Sequence, residues 1–284
     1  MSFSTDVKEE LSKISNLANK DSVKAELYGY INTVNFSINE KNLRFTTESE
    51  YNINRFSKLL NNVGIVDYNI DINGKNFSIT IPNKEKNNLQ DLYSNYKVPS
   101  KENEEKAFAR GVFLGSGSIN NPKNKYHIEV ILNNFQITEE VINILKKYGI
   151  NFKILNSKTK NSIYSKDGEE ISKFLAFIGA NKAVIKFEEI RVYRDMRNNV
   201  NRIVNCETAN LNKTVNAAVK QIEAIKKLKK DGKFNNLPEN LKEIAELRIN
   251  NPEASLTELG KMLKEPIGKS GVNYRLNTLI KMSL

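Results

Sequence analysis

The chain has 284 residues, long enough for two or three domains, and 39% of them are hydrophobic, enough to build a core. Its 44 lysines and arginines against 33 acids leave a net charge of +11, which favours a polyanionic partner. A single cysteine, Cys206, excludes an internal disulfide framework, one histidine beside it argues against a zinc site, and no apolar run reaches the length of a membrane span.

The elements follow in chain order. MSFSTDVKEELSKI reads as an amphipathic helix rather than a signal peptide: Val7, Leu11 and Ile14 recur at helical spacing over about 4–16. A second helix is expected over about 21–33, then short strands near 35–40 and 43–47. SEYNINRFSKLLNNVG is a helix with Ser49 as N-cap and Gly64 as its stop. IVDYNIDI and NFSITI alternate on either side of Asn73-Gly74, which predicts a hairpin with a type I′ turn at that pair. A helix over 84–96 leads to a hinge at Val98-Pro99-Ser100. The pattern then starts again: a helix over 102–116, a strand over 126–132, a helix over 137–148 stopped by Gly149, strands near 151–155 and 162–165, and a helix over 168–178.

Taken as units, both halves read helix, two strands, helix, two strands, helix, with 126–132 the one strand picked out ahead of the middle helix of the second half. The residues repeat as well. Ala25-Glu-Leu-Tyr-Gly29-Tyr-Ile resembles Ala107-Phe-Ala-Arg-Gly111-Val-Phe, and each is followed about thirty residues later by a helix ending in Gly-Ile, at Gly64-Ile65 and Gly149-Ile150. The physical reading is two related helices packed side by side on small residues, each leading into one half of a saddle-shaped sheet surface. Chance similarity between two amphipathic helices is the competing account.

This half-pattern resembles the LAGLIDADG homing endonuclease fold. In that family an acid at the end of each such helix binds a divalent metal over the scissile phosphates. Hard cations need anionic oxygen ligands for this chemistry. If Gly29 and Gly111 match the family's glycine, the acid positions fall at Val34 and Ser116, neither a carboxylate. The resemblance thus implies the fold without the nuclease: no enzyme activity, no metal and no cofactor is expected. Lys123, Lys125, Lys153, Lys158 and Lys160 offer the platform a thin set of phosphate contacts; a sheet used for protein contacts is the alternative.

The densest positive charge lies beyond these repeats. From Arg191 to Lys233 there are 11 lysines and arginines against 4 acids, and from Arg191 to Lys230 there is no glycine or proline. The stretch reads as two helical arms around a polar elbow, Asn205-Cys-Glu-Thr-Ala-Asn-Leu-Asn212, because Asn and Thr favour caps over helix interiors. Arg191, Arg194, Arg197 and Arg202 precede the elbow; Lys226, Lys227, Lys229 and Lys230 follow it, and all eight are candidates for phosphate contact. An ordinary solvated basic face is the alternative.

The last segment predicts three short helices. Leu237-Pro-Glu-Asn opens one that runs to about Asn250. Ser255-Leu-Thr-Glu258 is a capping-box sequence opening a second, over 256–263. The third begins at Ser270 and runs to about Lys281, with Val272, Leu276 and Leu279 on its core face. Such a unit suits a helix-turn-helix. Lys269 and Ser270 suit phosphate at the start of the third helix, and Gly271, Asn273, Tyr274, Arg275 and Asn277 lie off its core face, where Arg can read guanine and Asn adenine. A plain three-helix bundle is the alternative.

RNNVNRIVNCETANLNKTVNAAVKQIEAI, ARGVFLGSGSINNP and SLTELGKMLKEPIGKSGVNYRL together resemble the WhiA family over nearly the whole chain, NCETANLNKT being the most distinctive piece. The resemblance implies an α+β fold: a duplicated αββαββα LAGLIDADG-like platform (repeats 1–98 and 99–190), a basic connector (191–236) and an all-α helix-turn-helix domain (237–284). It implies a bacterial, sequence-specific, double-stranded-DNA-binding regulator tied to cell division and chromosome segregation, and to sporulation in some relatives. Its expected place is the cytoplasm, on the nucleoid and not on membranes, with transcription or cell-division proteins as further partners. A DNA-associated division factor working mainly through protein contacts and a metal-dependent nuclease are the other readings.

Overall fold

The computed structural model describes residues 2–15, 17–34, 36–38, 42–94, 96–133, 135–157 and 160–284. It divides into two units, Met1–Asp195 and Met196–Leu284.

In the first unit a leading helix, α1 (Phe3–Ser12), precedes two copies of one motif. The first copy is α2 (Lys20–Ile31), β1 (Phe36–Ile38), β2 (Asn42–Thr47), α3 (Glu50–Asn62), β3 (Asn69–Asn73), β4 (Asn76–Pro82) and α4 (Asn83–Ser94). The second is α5 (Glu102–Ser116), β5 (Ser118–Ile119), β6 (Ile128–Leu132), α6 (Phe135–Lys147), β7 (Lys153–Ser157), β8 (Lys160–Ser165) and α7 (Gly168–Ile178). Each copy builds a four-stranded antiparallel sheet, in the order β1-β2-β4-β3 and β5-β6-β8-β7. The identical strand order is the duplication read from the sequence, now visible in topology.

Local chemistry sets the element ends. The Ser49 side chain accepts from Asn52 N at 3.3 Å, and Asp167 accepts from Glu169 N at 2.8 Å and from Glu170 N at 3.3 Å. α3 and α6 stop alike: Gly64 (φ 86°) and Gly149 (φ 70°) turn left-handed, and Ile65 N and Ile150 N donate back to Leu60 O and Leu145 O, each at 3.0 Å. The β3–β4 hairpin differs from the sequence reading. Asn73 pairs with Asn76, so the turn residues are Gly74 and Lys75. Of these only Gly74 has positive φ, 62°. A type I′ turn needs positive φ at both central residues, whereas a type II′ turn needs it at the first alone. Glycine's freedom at the first place therefore outweighs the Asn-Gly pairing preference.

The two copies meet along α2 and α5, and small residues make the meeting possible. A Cβ on Gly111 would lie 1.9 Å from Glu26 O, one on Gly29 2.3 Å from Phe108 O, and one on Gly115 2.0 Å from Thr33 Oγ1. Backbone against backbone, the helices bury Ala25, Tyr30, Ala107, Phe108 and Val112. Beside this contact lies a buried ion group. Arg55 Nε and Nη2 donate to the two Glu26 carboxylate oxygens at 2.6 and 2.7 Å, and Arg110 Nη1 donates to Glu26 Oε2 at 3.1 Å. Two further guanidinium donors reach backbone carbonyls, Arg55 Nη1 to Ile14 O at 2.5 Å and Arg110 Nε to Ile178 O at 2.8 Å. Glu26 therefore ties α2 to α3 and α5, and the sequence pattern gave no sign of it.

The long helix α8 (Asn181–Lys230) starts in the first unit. Glu10 of α1 caps it, accepting from Lys182 N at 2.7 Å and Ala183 N at 3.0 Å, an acid placed where helix N–H groups lack partners. The expected elbow at 205–212 is absent: α8 passes through it unbroken. Asn and Thr cost only tenths of a kcal/mol each inside a helix. Here Thr214 Oγ1 donates to Asn210 O at 3.0 Å, four residues back, and so leaves the helix ladder intact.

In the second unit the end of α8 packs with α9 (Glu239–Asn250), α10 (Leu256–Met262) and α11 (Lys269–Ser283), after a 3-10 turn at Lys233–Asn236. Its core holds Ile225, Leu228, Ile244, Leu259, Val272 and Leu276. The end of the basic stretch is thus a wall of this unit.

Two outcomes follow for the α2–α5 contact. Gly111→Ala forces the helices apart and lowers stability by about 1–3 kcal/mol or more, read from the chemical denaturation midpoint. Glu26→Gln leaves buried Arg55 and half-buried Arg110 without their counter-charge and lowers stability by about 3–5 kcal/mol in the same measurement.

Candidate nucleic-acid interface

Three local devices aim α11 outward. The first is a complete capping box at α10: Glu258 N donates to Ser255 Oγ at 3.2 Å and Ser255 N donates to Glu258 Oε2 at 2.8 Å. The Ser255 N–H, with the Ser255 hydroxyl behind it, holds the Glu258 carboxyl below its usual range. The second is Gly260, where a Cβ would lie 2.3 Å from Ile267 O; its own carbonyl accepts from Ile267 N at 3.2 Å. Only glycine lets the six residues between α10 and α11 fold back so tightly. The third is Arg248, buried on α9, which donates to Ala254 O at 2.7 Å and fixes the α9–α10 corner. Burial lowers its guanidinium pKa.

With Val272, Leu276 and Leu279 buried, the opposite side of α11 is free. Ser270, Asn273, Tyr274 and Asn277 are exposed, Tyr274 at 74%, and their spacing puts them on one helix face. Lys269 is exposed at its start. Gly271 instead packs on the Ile267 side chain, and Arg275 is half-buried, with Nη1 3.5 Å from Asn240 O of α9. Exposed Lys281 continues the same face four residues after Asn277; that periodic step was available in the sequence and passed over.

The basic stretch divides by what its side chains touch. Arg191 pairs with Glu188 at 3.0 Å, and Arg194 donates to Pro122 O at 2.6 Å and lies 4.5 Å from the Tyr126 ring centroid. These two serve the fold of the first unit. Arg197 and Arg202 are exposed, as are Lys226, Lys227 and Lys230, while Lys229 lies 4.7 Å from the Phe234 ring centroid. Lys226, Lys227 and Lys230 lie on the end of α8 that packs with α9, α10 and α11, so exposed positive charge belongs to the same small unit as the polar face of α11, whereas Arg197 and Arg202 lie more than twenty residues earlier along the helix.

The platform offers a different surface. Strand register puts Arg44 and Asp71 on the open face of the first sheet and Glu129, Lys153, Ile131 and Leu155 on that of the second. Arg44 Nη2 donates to Ser78 Oγ at 2.9 Å, and Glu129 Oε1 bonds the Ser162 hydroxyl at 2.8 Å. Both signs are present and apolar side chains stand between them. Lys123 and Lys125 are exposed on a loop; Lys158 and the Lys160 side chain lie outside the described residues. At the ends of the paired helices Val34 is buried, the Thr33 hydroxyl donates to Tyr30 O at 2.9 Å, and the Ser116 hydroxyl donates to Ile131 O at 2.5 Å. Lys8 sits nearby, its amine 5.9 Å from the Phe113 ring centroid, and burial pulls its pKa down to about 8. Among the described residues no cluster of three His, Cys, Asp or Glu side chains is placed to hold a metal, and no helix is long and apolar enough to cross a membrane.

Comparison with known proteins agrees with this division. The family model described as the WhiA LAGLIDADG-like domain matches residues 105–197, and that of the WhiA C-terminal HTH domain matches residues 200–283. The chain is 38% identical over 309 residues to the "Probable cell division protein WhiA" of Clostridium tetani (strain Massachusetts / E88), covering 100% of this chain and 97% of that protein. It is 39% identical over 310 residues to the protein of the same name from Clostridium novyi (strain NT), covering 100% and 98%. Among solved structures, full-length DUF199/WhiA from Thermatoga maritima is similar with a TM-score of 0.63 and 28% identity, covering 100% of this chain and 98% of that one. The N-terminal LAGLIDADG domain of DUF199/WhiA, at a TM-score of 0.53 and 23% identity over 63% of this chain and 93% of that one, shares the platform fold. With a duplicated LAGLIDADG-like platform and a C-terminal helix-turn-helix, matched over its full length, the chain belongs to the WhiA family.

Proposed function

We propose that this chain is a non-enzymatic, sequence-specific DNA-binding protein that regulates transcription in bacterial cell division and chromosome segregation. One observation carries the reading. The third helix of a helix-turn-helix unit presents Ser270, Asn273, Tyr274 and Asn277 on a single exposed face, between Lys269 and Lys281. Amide side chains on such a helix match the donor–acceptor pattern of adenine in the major groove, and lysines at its two ends suit the flanking phosphates. Arg275, also on α11, is turned away from this face toward Asn240 of α9. Arg197, Arg202, Lys226, Lys227 and Lys230 add sequence-independent attraction. The names of the relatives support the placement in cell division.

The non-enzymatic part rests on the helix ends. Metal-assisted phosphodiester cleavage needs a carboxylate at each. Val34 is buried and apolar, and the Ser116 hydroxyl is engaged with a strand carbonyl. A second reading, a DNA-bound division factor working mainly through protein contacts, is favoured by exposed Ile131 and Leu155 on the open face of the second sheet. A division defect that persists when the α11 face is intact but these two residues are made polar supports it.

Asn273→Ala and Tyr274→Ala are each expected to weaken binding to a selected DNA site by roughly 1–3 kcal/mol while leaving random-sequence binding in place, measured by fluorescence anisotropy. Equal losses on both DNAs remove the residue from the reading set. Lys227→Ala should instead weaken both alike and lower the slope of log affinity against log salt by about 1. DNA cutting by the pure protein with Mg²⁺ contradicts the non-enzymatic reading.

A further inference from the structure

The first unit holds a cavity of about 520 Å³ between the start of α1, the end of β2 and the start of α3, with Phe77 of β4 as one wall. That is the size of a small-molecule site. Lys8 lines it, and folding leaves this amine poorly served. Burial pulls its pKa down to about 8, with no carboxylate to offset the loss. Among the described residues it forms no ion pair, and it stands 5.9 Å from the Phe113 ring centroid. Lys13 on the same helix, by contrast, pairs with Glu9 at 2.6 Å. The two acids that line the cavity, Glu48 and Glu50, are exposed and stand at its rim. A cation taken out of water without a counter-ion is costly, and an anion in the cavity would offset that cost.

Two helix starts border the same space. Ser2 Oγ accepts from Thr5 N at 3.1 Å and Ser49 Oγ accepts from Asn52 N at 3.3 Å. Each cap meets one N–H group and leaves earlier ones, Ser4 on α1 and Glu50 and Tyr51 on α3, without an intrahelical acceptor. Such groups favour an anion. A different need comes from Asn52, which also lines the cavity and is only 3% exposed. Its Nδ2 donates to Leu114 O at 3.0 Å, while its Oδ1 is buried with no donor. An anion alone leaves this acceptor unmet. A ligand that carries a hydroxyl beside its phosphate answers both the amine and the amide oxygen. The phosphates of a DNA duplex are esterified on both sides and bring no hydroxyl.

We propose that this cavity binds a mononucleotide by its sugar-phosphate end. The phosphate lies on the Lys8 amine and the starts of α1 and α3, a sugar hydroxyl donates to Asn52 Oδ1, and the base rests against the half-buried Phe77 and Tyr51 rings. The platform then has a ligand of its own, independent of the DNA face on α11.

The test is calorimetric titration of the full chain with AMP and with inorganic phosphate. AMP is expected to fill one site per chain with Kd in roughly the micromolar to millimolar range, and phosphate to bind more weakly. Lys8→Met keeps an apolar stem and loses the amine; AMP binding falls by about tenfold or more, while the free protein melts at a higher temperature. Lys58→Met, exposed on α3, changes neither. A second readout needs no substitution: AMP should slow acetylation of Lys8 by acetic anhydride and leave that of Lys58 unchanged, followed by peptide mass. It decides the matter if Lys8→Met does not fold. Absence of saturable AMP binding at about 10 mM overturns the proposal. So does AMP binding that leaves Lys8 acetylation unchanged. If a DNA duplex protects Lys8 and AMP does not, the cavity is a backbone contact and the proposal is wrong.

Discussion

The first unit depends on how closely α2 and α5 approach. Glu26 O lies where a Cβ on Gly111 would have to be, and Phe108 O blocks the same place at Gly29. No side chain can be inserted there without separating the helices that join the two repeats. The Glu26–Arg55–Arg110 group sits beside this contact, with both Glu26 oxygens bonded to guanidinium groups that also reach the Ile14 and Ile178 carbonyls. A buried carboxylate of this kind is tolerated because both its oxygens meet cationic donors. Glycine contact and ion group thus hold α2, α3 and α5 in one arrangement, and both sheets are built outward from it.

The ends of this helix pair are where the sequence resemblance put the acid positions, at Val34 and Ser116. In the present chain the helix ends are closed by local bonds instead: Thr33 and Ser116 hydroxyls donate to carbonyls, and Asn133 N donates to Asn32 O at 3.2 Å. Fold and function are separable, and on the proposed reading the platform serves by its shape. The DNA-reading chemistry assigned to α11 then requires nothing from the platform.

Much of this was legible in the sequence because it rests on periodicity and on glycine. Gly64 and Gly149 end helices as expected, Ser49 and Ser255 cap as expected, and α5 and α7 begin and end at the residues their patterns predicted. The sequence reading failed where a local preference competed with a longer-range one. Asn73-Gly74 looked like a turn pair, yet strand register moved the turn to Gly74-Lys75. Asn205–Asn212 looked like a break, yet the helix runs through it, since a few weak helix formers cannot stop a long one. Glu26 was invisible as a core residue because an acid is read as exposed until its partners, 29 and 84 residues away, are known. For α11 the face was legible from Val272, Leu276 and Leu279, while the turn of Arg275 toward α9 was not.

The central claim is that DNA sequence is read by the exposed face of α11. Genome-wide mapping of bound DNA tests it most directly, comparing the full chain with one in which Asn273, Tyr274 and Asn277 are all alanine. The account predicts that discrete sites collapse into weak, sequence-independent occupancy while the protein remains folded and present at the same level. Retention of the same sites by the altered chain would contradict it and move the reading to the platform.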